Sequence, residues 1–164
     1  MLGVRALVNR TATVAGILAE TAPLFLLFVL GLAIVVQAVA DHGLGDLLSR
    51  LVPGSPTLLG LLATAALAAV LANIVNNLPA TLVLLPALGP HPAAGIVLAV
   101  LLGVNLGPNA TYVGSLATLL WRRVVAGRGL ATTLREFLRL GALTVPLSLL
   151  AAVLALWLGL TLST

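Results

Sequence analysis

Between Arg50 and Arg122 lie 71 residues without a single Asp, Glu, Lys or Arg. No water-exposed surface can be assembled from a run of that length, so the segment has to be solvated by lipid or buried in other protein. The rest of the chain agrees: 61% of its residues are hydrophobic and 7% charged, where a soluble domain carries about a quarter charged. The chain is therefore predicted to be an all-α, polytopic membrane protein. The excess of basic residues, eight arginines and no lysine against four acids, then reports membrane orientation. With six aromatic residues and no basic-aromatic run, nucleic acid is excluded as a partner. The absence of cysteine removes disulfides, thiolate metal sites and a cysteine nucleophile.

Pro23–Ala40 is the first long apolar run, with Gln37 its one polar side chain. It rises about 27 Å as a helix, and its length exceeds a signal-peptide core of about 7–15 residues. A span is assigned to 22–40, preceded by a cytoplasmic or interfacial segment, 1–20. Asp41–Pro56 reads as a loop, and His91, set between Pro90 and Pro92, as a solvated loop residue. A last span is assigned to 140–162, with a mild kink at Pro146 and Trp157 as an interfacial anchor. Five arginines and one acid in 122–139 place that stretch in the cytoplasm, together with the N-terminus carrying Arg5 and Arg10; the C-terminus then lies outside. Between these spans the chain has to cross an odd number of times.

The middle is interrupted twice. Thr57–Ile74 is a good helical run that stops at Asn76-Asn77-Leu78-Pro79, and Ala80–Gly89 has only ten residues, about 15 Å of helix, half a bilayer. Ala93–Leu106 stops at Gly107-Pro108-Asn109, and a fresh helix is predicted from near Tyr112 past Trp121. The pattern predicts a re-entrant hairpin over 57–90 and a broken transmembrane helix over 92–126, within a transport repeat of 21–162. Backbone that leaves its helix at membrane depth costs several kcal/mol per unpaired group, and survives only where protein buries it or where it lines a wet cavity. Two such breaks resemble the sites of secondary transporters, where discontinuous helices meet and helix N-termini face the ligand.

Polar side chains gather at the same places. Asn73, Asn76 and Asn77 share a helix face, with Thr81 following; Asn105 and Asn109 bracket Gly107-Pro108. Thr111, Ser115 and Thr118 are predicted to form one stripe on the new helix, and Gly114 to allow close approach. Thr64 and Thr144 read as structural hydroxyls. No carboxylate pair, Ser-His-Asp set, HExxH or phosphate loop occurs, so no enzymatic chemistry has candidate residues.

Gly103-Val-Asn-Leu-Gly-Pro-Asn-Ala-Thr-Tyr-Val-Gly-Ser-Leu-Ala-Thr-Leu-Leu-Trp121 resembles the C-terminal signature of the arsenical pump membrane proteins, arsenite/antimonite exporters of the ion transporter superfamily. Val75-Asn-Asn-Leu-Pro-Ala-Thr81 resembles their hairpin tip. The resemblance covers about 20–162. It implies a C-terminal half whose repeat pairs with an inverted N-terminal half, or with a second copy, in the lipid bilayer of a bacterial inner membrane. By that pattern Asn76, Asn77, Pro79 and Thr81 are tip residues, and Asn105, Gly107, Pro108, Asn109, Thr111, Gly114 and Ser115 form the broken-helix loop. The substrate would be a small oxyanion or neutral hydroxide, arsenite foremost, with no cofactor beyond a coupling Na⁺ or H⁺. Arsenite pumps tend to carry an acid at the place of Asn105 and a lysine at that of Asn109, a paired loss that leaves local charge unchanged. A sodium-coupled carboxylate or anion symporter and a non-transporting accessory subunit are the competing expectations.

Overall fold

The computed structural model describes residues 23–130 and 133–163; the segment assigned to 1–20 lies outside them. Among the described residues there are seven α-helices and no strand. The chain divides into two compact units, Met1–Val35 and Val36–Thr164. What is described of the first is most of helix α1 (Pro23–Val39), which exposes Leu27, Phe28, Leu30, Ile34 and Val35. The second holds the remainder of the architecture.

After α1 the chain kinks at His42 and Gly43, where Gly43 takes φ +105°. The predicted loop then contains a short helix, α2 (Gly45–Leu51), with Leu48 buried and Asp46 and Arg50 at its two ends. Seven residues bounded by turn chemistry carry too little periodicity to announce themselves, and burial of one leucine anchors them.

The core rests on the pair α3 (Leu58–Val75) and α5 (Ala94–Leu106), the most extensively packed helices of the unit. Where they approach most closely the residues are small: Ala65, Ala68 and Ala69 on α3 against Gly103 on α5, continued by Gly107. A methyl group on Gly103 would run into the Ala65 carbonyl oxygen, and one on Gly107 would lie 2.5 Å from the Ala69 Cα. Small residues at four-residue spacing let helix backbones touch where lipid supplies no hydrophobic drive for larger side chains. Against this pair lies α7 (Leu134–Leu162), which buries Gly141, Val145, Leu149 and Val153 along one stripe. Leu61, Ala65, Ala69, Ile96, Ala99, Leu149 and Val153 form the shared core.

Two described helices are long and apolar enough to cross a membrane, α3 and α7. The second contains the predicted span 140–162 and runs through Pro146 from a capping box, with Thr133 Oγ1 accepting from the Glu136 amide and Glu136 Oε2 accepting from Thr133. The other is the first arm of the predicted hairpin, since α1 has 17 residues. The second arm, α4 (Asn77–Ala87), has 11 residues and rises about 16 Å. Its far end returns toward the start of the first: Val52, Pro53 and Gly54, just before α3, line one cavity with Ala87, Leu88 and His91. His91 is exposed there.

Candidate functional site

Both predicted breaks are present, and they meet. The first is a single residue. Asn76 ends α3 and begins α4 with φ +80° and ψ 156°, a region that glycine alone visits at low cost, with a penalty on the order of 1–3 kcal/mol for other residues. Such strain persists only where neighbours over-determine it. Here the Asn76 side chain is 5% exposed and its Nδ2 donates to Val113 O at 3.1 Å. The second break is longer: α5 passes into a 3₁₀ turn (Gly107–Ala110), then a bent, non-helical stretch from Thr111 to Ser115 precedes α6 (Leu116–Gly127).

The new helix thus starts four residues later than the sequence predicts, and this corrects the polar stripe expected there. Thr111 (φ −132°, ψ 160°) and Ser115 (φ −141°, ψ 138°) are extended, and only Thr118 stands on α6. Ser115 becomes the N-cap, its Oγ accepting from Ala117 N at 3.2 Å. Capping at Ser115 outweighs continuation because Thr111 and Gly114 are drawn off to the hairpin tip.

That attachment centres on Asn73. Its Nδ2 donates to Ala69 O on its own helix and to Gly107 O in the second break, both at 2.8 Å, and its Oδ1 accepts from Thr111 Oγ1 at 2.7 Å. Thr111 Oγ1 in turn accepts from Gly114 N at 3.2 Å. Gly114 O accepts from Asn77 N at 3.2 Å. A methyl group on Gly114 would lie 2.7 Å from the Pro108 Cα and 2.8 Å from Asn73 Oδ1, so the tip and loop close only around a glycine. Pro79 and Pro108 are fully buried beside the junction.

The expectation of a helix N-terminus offering free N–H groups is not met at α4. Asn77 N is bound to Gly114 O, Leu78 N to Asn77 Oδ1 at 3.0 Å, Pro79 has none, and Ala80 N is bound to Asn76 O at 3.0 Å. What is left open is an acceptor: the buried Asn76 Oδ1 has no hydrogen-bond partner among the described residues. Thr81 Oγ1 donates back one turn to Asn77 O at 2.8 Å.

Of the eleven residues singled out from sequence, the structure brings Asn76, Asn77, Pro79, Gly107, Pro108, Thr111 and Gly114 to one junction. Asn105 and Asn109 do not join it. Both are exposed, and their Nδ2 groups fold back on Leu101 O (2.7 Å) and on Asn105 O and Leu106 O (3.3 and 3.1 Å). Asn73, absent from those eleven, is the bridge. Its signal was the spacing it shares with Asn76 and Asn77.

The loop is also held from the opposite side. Tyr112, 4% exposed, stacks on Phe137 of α7 with ring centroids 4.2 Å apart, and the Arg122 guanidinium lies 4.6 Å above its ring. Trp121 completes the cluster, 6.3 Å from Phe137.

Residues 6–160, which contain this whole arrangement, match the family model described as arsenical pump membrane protein. The chain belongs to the arsenical pump membrane protein family. Relatives within it include the arsenical pump membrane protein of Escherichia coli, 34% identical over 146 residues, and that of Yersinia enterocolitica, 33% identical over 145. Those alignments cover 83% and 82% of this chain and 34% of each relative, so the chain spans about a third of the length of the proteins it matches. No solved structure matches it. Family membership gives a membrane location, in keeping with the exposed apolar residues Leu59, Val70 and Ile74 of α3 and Leu143, Leu147 and Leu158 of α7.

Proposed function

We propose that this chain is the C-terminal repeat of a secondary transporter that exports arsenite or antimonite as the neutral hydroxide. The observation that carries the substrate class is the polarity of the hairpin tip. Its first-turn donors are spent, and one buried carbonyl oxygen, Asn76 Oδ1, is open. With the backbone donors of that turn bound, no helix N-terminus is left to cradle an oxyanion, whereas a trihydroxide brings its own O–H groups to the open acceptor. The contact between the breaks closes this acceptor off, so a ligand reaches it when the junction parts, as alternating access requires.

In this reading 57–90 is re-entrant, entering and leaving on the outer side, and the α5–α6 unit makes one broken crossing. The arginine-rich 122–139 and the N-terminus are cytoplasmic. Asn77, Thr81 and Ser115 line the route from this half, and Asn105 and Asn109, on the exposed side of α5 and its 3₁₀ turn, face an N-terminal half or a second copy. The coupling ion is H⁺ or Na⁺, and no catalysis is involved.

Uptake of arsenite into everted vesicles carrying the complete transporter tests this. Asn76→Gly removes the acceptor while keeping the backbone conformation available, and should lower uptake about tenfold at equal abundance, the loss of about 1.4 kcal/mol of stabilisation. Vesicles that accumulate a dicarboxylate or phosphate and not arsenite would overturn the assignment, as would unimpaired arsenite uptake by Asn76→Gly.

A further inference from the structure

On α7, away from the junction, Leu134, Leu138 and Ala142 line an open groove of about 480 Å³ flanked by Arg135 and Arg139. The three apolar residues stand four apart on one helix face, so the groove follows the helix axis for about 12 Å. Its guanidiniums are at the end nearest the charged segment and its apolar floor runs on into the uncharged part of the helix. Glu136, the only acid between 122 and 139, directs its Oε2 to Thr133 N and Oγ1 at 3.2 and 2.7 Å and so serves the helix cap.

We infer that this groove is a binding site for one anionic phospholipid, its phosphate between Arg135 and Arg139 and an acyl chain along Leu138 and Ala142. Charge complementarity selects the occupant: an apolar channel opening between two cations suits an amphiphile with a negative head and an apolar tail. Arginine forks bind phosphate oxygens bidentately, which adds geometry to the attraction. The site stands independently of the transported substrate.

Trp121 reports on it, because its ring lies beside Phe137, the neighbour of Leu138 in sequence. The full chain with Trp157→Phe is reconstituted in phosphatidylcholine vesicles containing a minor fraction of lipid brominated on the acyl chain. Brominated phosphatidylglycerol should quench Trp121 at a mole fraction roughly tenfold below that needed for brominated phosphatidylcholine, the scale of one or two surface arginines facing an anionic headgroup. Arg135→Gln with Arg139→Gln should erase that preference; Arg123→Gln with Arg128→Gln should keep it. Ala142→Phe, which fills the groove without altering charge, should erase it too. Equal quenching by the two lipids in the parent chain overturns the site, including the case in which another protein segment covers it. Loss of preference in the Arg123/Arg128 pair equal to that in the Arg135/Arg139 pair overturns it in favour of diffuse attraction.

Discussion

Replacing Asn73 by alanine should loosen the contact between the two helix breaks while leaving the helices intact. Of the three hydrogen bonds it makes, the one to Ala69 O shares an acceptor already used within α3 and counts for little. The other two, to Gly107 O and from Thr111 Oγ1, are the only side-chain bridges from that position to the second break. Bonds between membrane helices average about 0.6 kcal/mol, and leaving a buried carbonyl without its donor adds about 1 kcal/mol. The sum is about 2 kcal/mol, roughly a thirtyfold shift in the equilibrium between closed and parted junction. Amide exchange at Asn77 reads this directly, since its N–H is bonded to Gly114 O across the junction. Exchange there should accelerate about thirtyfold in Asn73→Ala, with amides in the middle of α3 and α5 unaffected, because local opening sets the rate. Thr111→Val removes one bridge and should accelerate it by about threefold to fivefold. Asn105→Ala, whose amide bonds its own helix, is the control. If Asn77 exchanges at the parent rate in Asn73→Ala, the bridge does not hold the breaks together.

Three further outcomes are expected. Gly107→Ala sets a methyl group 2.5 Å from the Ala69 Cα, backbone that cannot swing away, and should cost about 1–3 kcal/mol in detergent unfolding; Gly127→Ala, with open space around it, should leave the midpoint unchanged. Tyr112→Ala should destabilise by about 3 kcal/mol or more, and Tyr112→Phe by much less because the stack on Phe137 survives; thermal melts of the two variants check the order. In this cysteine-free chain, Ser163→Cys should react with an impermeant thiol reagent from the periplasm and Arg128→Cys should not; the reverse pattern would invert the topology.

The positions of both breaks could be read from the sequence because proline, glycine and asparagine interrupt long apolar runs, and little else does so inside a membrane. The resumption of helix could not. Val113, Leu116 and Leu119 are as compatible with helix at 112 as at 116, and the decision comes from Thr111 bonding to Asn73, 38 residues away in sequence, and from Gly114 bonding to Asn77. Long-range partners decided Asn73 as well: local spacing marked it as one of three asparagines, and only the fold selects it as the one that touches Gly107. The free N-terminus expected at α4 failed for a related reason. Asn77 caps its own neighbour through Oδ1, and proline at the third position removes a donor, both visible in sequence once the helix start is known. Asn105 and Asn109 were marked by their place around Gly-Pro; their amides satisfy themselves on the nearest carbonyls of their own helix and turn.

Where α3 and α5 approach most closely, with Gly103 and Gly107 against Ala65, Ala68 and Ala69, the contact is alanine on glycine, residues with no rotamers to freeze and none to exchange. A closest contact without movable side chains has no second way to fit, so sliding the helices by part of a turn loses it without a substitute arrangement. The pair is therefore expected to move as one girder, with displacement taken up by the non-helical residues from Thr111 to Ser115. Substitutions that enlarge an alanine on this face would be felt as loss of assembly, whereas substitutions in the five-residue strap would be felt as altered timing.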